Sequence, residues 1–387
     1  MIREYDNLKF DKQWELTPDI KFLLGQCDAY VKVISNAPIL PEYYQSLLQV
    51  ALIKGAQATT AIEGNTLTET EVAEVLKGKK LPPSKEYQQI EVQNVIKAMG
   101  ELRDEVAIFQ VAGLIDANLL RRFHKMIGKD LGEHLSAIPG EFRNAPAIVG
   151  RYRCPDHTDV PELVEKFCEW IKREFGYGNH SQSFSECVIQ SIVSHVYIEW
   201  IHPFSDGNGR TGRLVEFYIL LRGCNPDIAS HILSNHYNLT RVEYYRQLEK
   251  AGNTGVLTDF IKYALTGFRD GLVQTLITIQ DNIFKITWGS YVYKVFENYN
   301  ISHEELYKRR RTLALELPHD KGFTIKEIPK TNVPLATFYA SLNERTVLRD
   351  IEELVALGLL RRDGKLIFTN KEILNGMIAK RKLPLTT

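Results

Sequence analysis

The sequence predicts a mainly α-helical protein. Apolar residues recur at helical spacing along most of its 387 residues, Pro and Gly punctuate that pattern at helix ends, and strand-like alternation is confined to two short places. With 44% apolar and 25% charged residues the chain can bury substantial cores.

The pattern predicts a helix from Pro41, with Leu47, Leu48, Ala51 and Leu52 on one side, broken at Gly64-Asn65. Thr68 opens the next helix, with Glu71 three residues on as a capping box. Further helices are expected from Glu86 to Val106 and from Leu114 to Ile127. Ala147, Ile148, Val149 and Tyr152, with Gly150 at the turn, predict a short hairpin within Pro139 to Pro155. Pro161 restarts helix through Phe175, and Gly176 to Ser181 reads as a loop. Apolar pairs at 188/189, 192/193, 196/197 and 200/201 predict a long buried helix. A second amphipathic helix carries Leu214, Val215, Tyr218 and Leu221 and ends near Gly223 and Pro226.

Helical periodicity weakens between Phe268 and Tyr299, which suggests a boundary. The expected division is 1–110, 111–270 and 271–387. In the last part, His303 to Leu317 reads as a helix, Thr324 to Pro329 as a short second one, and Asn343 to Leu357 as a recognition helix. Thr346, Val347, Ile351 and Leu354 are its core candidates, and Gly358 to Thr369 suggests a two-stranded wing. A winged helix is the expectation.

Lys plus Arg and Asp plus Glu both total 48, so the surface as a whole is not built for nucleic acid or anionic membrane. Residues 281–387 hold 18 basic against 13 acidic residues. DNA or protein contact through that region is therefore open, although Asp350, Glu352 and Glu353 on the recognition helix would face phosphates poorly. The five cysteines include no C-x-x-C pair, the charged Met1 to Leu16 segment has no signal-peptide core, and no apolar run is long enough for a membrane span. A cytoplasmic protein is expected.

The chemistry is concentrated in His202-Pro203-Phe204-Ser205-Asp206-Gly207-Asn208-Gly209-Arg210-Thr211-Gly212-Arg213, between the two helices. A new helix N-terminus presents unpaired N–H groups and a positive dipole to an anion. Glycine allows close backbone approach to a phosphate, and Arg210 and Arg213 can pair with phosphate oxygens. Asp206 offers a hard oxygen ligand suited to Mg²⁺. His202 is a titratable base. Gly207-x-Gly209-x-x-Gly212 also has the form of a dinucleotide fingerprint, but it follows a helix where that motif follows a strand. There is no P-loop. His195, Glu199 and His202 could share a helix face and a metal, though without H-E-x-x-H spacing.

His202 to Arg213 resembles the signature of the Fic family, HxFx(D/E)GNGRxxR, at every specified position. The resemblance extends over about residues 50–268. It implies a protein adenylyltransferase using ATP and Mg²⁺: His202 as base, Gly207, Asn208 and Gly209 lining the anion hole, Asp206 holding the metal, and Arg210 and Arg213 on the β/γ-phosphates. Pro139 to Arg143 with Ile148 to Gly150 is similar to the family's flap, which implies a target protein docked by strand addition around 143–153. Tyr244-Tyr245 and Leu248 resemble a helix flanking adenine, and Thr240 stands where the family often has Asn. Thr59 to Gly64 matches the inhibitory pattern (S/T)xxxE(G/N), with Glu63 pairing Arg213 in the γ-phosphate's place. Removal of AMP is an alternative implied by the same Glu. A transcriptional regulator that only senses nucleotide is the alternative from another class.

Overall fold

A computed structural model describes residues 3–109, 115–176, 182–223, 226–299 and 303–374. The Gly176 to Ser181 loop lies outside them beyond Gly176, as do Leu114 and Cys224. Two compact units divide the chain, 1–277 and 278–387. Fourteen α-helices and two small antiparallel hairpins occur among the described residues.

In the first unit the helices are α1 (Pro18–Ser35), α2 (Pro41–Ile62), α3 (Glu69–Leu76), α4 (Glu86–Phe109), α5 (Ala117–Ile127), α6 (Val160–Glu174), α7 (Phe184–Ile201), α8 (Asn208–Arg222), α9 (Ile232–Leu239) and α10 (Arg241–Thr254). Their ends follow local chemistry. Thr68 and Glu71 form the expected capping box of α3. Asp116 caps α5 through its side chain, accepting from the Leu119 N–H, so that helix begins after Leu114. Ser183 and Glu186 make a second capping box at α7. Every residue of α7 from Cys187 to Ile198 is buried, because the helix runs through the middle of the unit. β1 (Ile148–Val149) and β2 (Tyr152–Arg153) pair antiparallel around Gly150, whose φ of 58° a tight turn requires.

The long α11 (Thr258–Glu297) runs unbroken through the region of weak periodicity. Its buried residues follow Phe268, Leu272, Leu276 and Ile279, then resume at Phe284, Trp288, Val292 and Phe296. The five-residue step from 279 to 284 displaces the stripe around the helix. No single 3.6-residue period fits both halves.

The second unit contains α12 (Glu304–Glu316), α13 (Val333–Tyr339), α14 (Glu344–Ala356), β3 (Leu360–Asp363) and β4 (Leu366–Thr369), around a core that includes Leu313, Leu335, Val347, Ile351 and Leu354. The short helix expected at Thr324 to Pro329 is instead one 3₁₀ turn at Ile328–Lys330. Thr324 is tied to the Glu327 carboxylate through its backbone N–H and its hydroxyl, both at 2.8 Å. The helix proper starts after Asn332, whose side chain accepts from the Leu335 N–H. Thr346 is only half-buried and contributes an N-terminal hydrogen bond to Asn343.

Asp350 does not face solvent. Its carboxylate is 1% exposed and accepts from Arg309 Nε at 2.7 Å and Arg310 Nε at 2.9 Å, with the Tyr339 hydroxyl at 3.3 Å. Removing one partner of a buried ion network leaves uncompensated charge, which costs about 3–5 kcal/mol. Asp350→Ala should therefore lower the stability of this unit by about 3 kcal/mol, read from urea unfolding of the full chain. A loss below about 1 kcal/mol would contradict the assignment.

Candidate active site

Helix α7 ends in an unusual residue. His202 has φ 50° and ψ 59°, a left-handed conformation that stops the helix and turns the chain toward α8. Its backbone N–H still donates to the Ile198 carbonyl at 2.9 Å, and its carbonyl accepts from Arg143 Nε at 2.7 Å. Arg143 also donates to the carbonyls of Ala145 and Pro155, at 3.0 and 2.5 Å, while its own N–H reaches the Pro203 carbonyl. This one buried guanidinium joins the base of the hairpin to His202.

Between the two helices, Phe204 is fully buried. The Asn208 amide clamps it, accepting from the Phe204 N–H and donating to the Phe204 carbonyl, both at 2.8 Å. Asn208 thus closes the loop with its side chain and offers an anion only its backbone N–H. On the other side, Phe204 stacks on the His124 ring at 3.8 Å between centroids. Nδ1 of His124 accepts from the Gly140 N–H at 2.8 Å, so Nε2 carries the proton donated to the Asp206 carbonyl at 2.9 Å. Gly207, at φ 79°, caps α8; a Cβ there would stand 3.3 Å from the same His124 ring.

The first turn of α8, Asn208 to Arg210, presents backbone N–H groups without intrahelical acceptors. The cations beside it are already paired. Arg210, 6% exposed, donates to Glu91 Oε1 at 2.5 Å and to Asp206 Oδ1 at 3.2 Å. Arg213, 1% exposed, donates to Glu63 Oε1 at 2.5 Å and to the Thr59 hydroxyl and carbonyl at 2.8 and 2.9 Å. Burial opposes the Arg213 charge, but Glu63, Tyr244 and Glu199 outweigh it and raise the pKa. Gly209 makes this pair fit: a Cβ there would lie 2.3 Å from Glu63 Oε1 and 2.9 Å from Arg213 Nη1.

Burial pushes the His202 imidazole down to about 4, helped by Arg143 and opposed by the Glu199 carbonyl, Glu63 and Asp206. The ring is neutral at pH 7 and able to accept a proton. Burial, with a smaller push from Glu63, also raises the neighbouring Glu199 carboxyl to about 7, against the pull of Arg213. Asp206 is 35% exposed; it accepts from the Gly207 and Ser136 N–H groups at 2.5 and 3.1 Å.

The structure thus brings His202, Asp206, Gly207, Asn208, Gly209, Arg210, Arg213 and Glu63 to one end of α7 and α8. Thr240 sits at the α9–α10 junction, its hydroxyl on the His236 carbonyl and the Tyr263 hydroxyl at 2.7 and 2.6 Å. His195 pairs through Nε2 with the Tyr244 hydroxyl at 2.9 Å. Among the described residues no group of three or more His, Cys, Asp or Glu could hold a metal by itself, which removes the His195, Glu199 and His202 triad. Glu91 and His124 take part in the site without any role for them having been read from the sequence, and Arg143, read only as part of the flap, also holds the His202 carbonyl. Their partners lie 119, 82 and 59 residues away.

Residues 114–220 match the Fic/DOC family. The chain is 28% identical over 214 residues to protein adenylyltransferase fic-1 of Caenorhabditis elegans, covering 53% of this chain and 37% of that protein. It is 28% identical over 221 residues to protein adenylyltransferase Fic of Culex quinquefasciatus, covering 55% and 39%. The chain thus spans less than two-fifths of the length of these relatives. Its fold is similar to that of a Fic family protein from Desulfovibrio desulfuricans, with a TM-score of 0.57, 19% identity, and 93% and 98% of the two chains covered. The C. elegans Fic-1 structure gives a TM-score of 0.55 at 18% identity, over 67% and 72%. The glycine-rich turn between the two long helices lies inside the matched stretch: residues 114–220 are what this chain shares with the Fic/DOC family.

Proposed function

We propose that the protein transfers AMP from ATP to a Ser, Thr or Tyr hydroxyl of a target protein, and that Glu63 holds this activity back. The observation that carries the reading is a neutral imidazole beside a helix N-terminus flanked by two buried arginines. His202 takes the proton of the target hydroxyl. That oxygen bonds to the α-phosphorus as the bond to the β-phosphate oxygen breaks, and pyrophosphate leaves. The backbone N–H groups of the Gly207–Gly209 turn receive phosphate oxygens, and Arg210 and Arg213 turn to the β/γ-phosphates. Thr240 is assigned to the adenine end. ATP labelled at the α-phosphate should leave label on protein, whereas γ-labelled ATP should not. Binding without transfer from either would favour the rival reading of a nucleotide-sensing regulator.

Asp206 suits Mg²⁺. A partly exposed carboxylate beside a phosphate site is enough for an ion whose other ligands are phosphate oxygens and water. Such an ion would neutralise phosphate charge. Asp206→Ala should weaken Mg²⁺-dependent ATP binding, measured by titrating nucleotide at several Mg²⁺ concentrations. Equal Mg²⁺ dependence in both proteins would remove the role.

The hairpin fits a docking edge for an extended target segment. Its first strand carries Ile148 and Val149, 67% and 45% exposed, an apolar surface suited to strand addition. In the C-terminal unit, the helices and the β3–β4 hairpin with exposed Arg361, Arg362 and Lys365 support a winged helix that contacts DNA or protein.

A further inference from the structure

A helix ends with carbonyls that have no intrahelical partner and with the negative end of its dipole. Helix α2 ends at Ile62, immediately before Glu63, and has no basic residue in its last turn. Its terminal carbonyls are nevertheless filled. The Thr60 carbonyl accepts from the N–H groups of Glu63 and Asn65, at 3.0 and 3.1 Å, and the Ala61 carbonyl from that of Gly64 at 3.0 Å. Arg213 serves the Thr59 carbonyl, and the donors to the last two carbonyls come from α10, about 180 residues later. Arg241 Nη1 donates to the Ala61 carbonyl at 3.1 Å and Nη2 to the Ile62 carbonyl. The Tyr245 hydroxyl also donates to the Ile62 carbonyl, at 3.2 Å, and the Arg241 guanidinium lies over the Tyr245 ring at 5.9 Å.

We infer that Arg241, supported by Tyr245, is a positioning residue that latches the end of α2 so that Glu63 reaches Arg213. This rests on the reading of Glu63 as the brake. The geometry gives the latch its leverage. Glu63 is the C-cap residue itself, next to the two latched carbonyls, and its 2.5 Å contact with Arg213 tolerates little movement of the helix end. A planar guanidinium presents a rigid fork of donors to two carbonyls, whereas an ammonium offers rotatable donors on a flexible stem and fixes their geometry less. Arg241 is exposed, as is Tyr245 at 46%. The latch can therefore be undone from outside without opening the core, whereas the Arg213 guanidinium that Glu63 reaches is 1% exposed.

The test uses the full chain, α-labelled ATP, and label incorporated into the chain itself. A cation at a helix C-terminus has a modest effect, so Arg241→Ala should raise the initial rate about three- to ten-fold. Arg241→Lys, which keeps the charge but not the fork, should fall between it and the wild type. In a Glu63→Gly background, Arg241→Ala should add nothing, because both changes act through one contact. A merely structural role would lower the rate in either background. If Glu63→Gly accelerates transfer and Arg241→Ala does not, the latch is wrong while the brake stands. A gain from Arg241→Ala that persists without Glu63 also overturns it. If Glu63→Gly itself gives no gain, the brake fails and the latch with it.

Discussion

Replacing His202 by Ala should reduce AMP transfer by about 10²–10⁴-fold, the usual consequence of deleting a general base, with ATP binding nearly intact. The contacts that hold this position use the backbone: the N–H donates to Ile198 and the carbonyl receives Arg143. Ala keeps both, so the loop and the α8 N-terminus should remain in place. The pH dependence adds a second check. A histidine lowered to about 4 by burial is charged only below that value, so the base stays competent as pH falls through the ordinary imidazole range. The acid limb of kcat/KM should accordingly lie well below about 6.5, with little loss between about pH 7.5 and 5.5. Near-normal transfer by a folded Ala variant, or a limb near the ordinary value, would take the role away from His202.

How much of this was legible in the sequence depended on distance along the chain. The stretch from His202 to Arg213 is continuous, and a helix stop, glycines and a helix start are local events, so its helix–turn–helix geometry could be read directly. The capping box at Thr68 and the hairpin around Gly150 were legible for the same reason. Glu63 lies 150 residues from Arg213, and only the family resemblance joined the two. His124 was invisible. On α5 it is one polar residue of an amphipathic helix, and nothing nearby says that its ring stacks on Phe204 and ties Gly140 to Asp206. Asp350 was misread because an acid on an otherwise charged helix looks solvated. Its partners Arg309 and Arg310 lie 41 and 40 residues earlier, on another helix. Asn208 shows the converse. Its place in the motif was evident, but whether its side chain faces a ligand or closes the loop depended on where Phe204 lies.

Removing the Glu63 carboxylate should increase transfer, and the sign is the informative part. Most substitutions that leave a buried charge without its partner lower activity by disturbing the fold. Here the carboxylate holds the guanidinium that the proposed mechanism assigns to the γ-phosphate. Hydrogen bonds to charged groups contribute about 1.5–3 kcal/mol. Freeing Arg213 should therefore raise the rate by about 10- to 100-fold in Glu63→Gly. Backbone strain should not obscure the result, since residue 63 is a helix C-cap with φ −88°, a conformation open to glycine. Arg213 would keep its bonds to the Thr59 hydroxyl and carbonyl, so its side chain should stay oriented after the carboxylate is gone. Arg213→Ala should not be activated, because it removes the brake's anchor and a phosphate ligand together. The double variant should behave like Arg213→Ala, since two changes at one contact do not add. A folded Glu63→Gly protein with unchanged or lower transfer would end the inhibitory assignment. The His202 chemistry could survive that outcome, because it depends on the imidazole and the α8 N-terminus rather than on what occupies Arg213 in the absence of nucleotide.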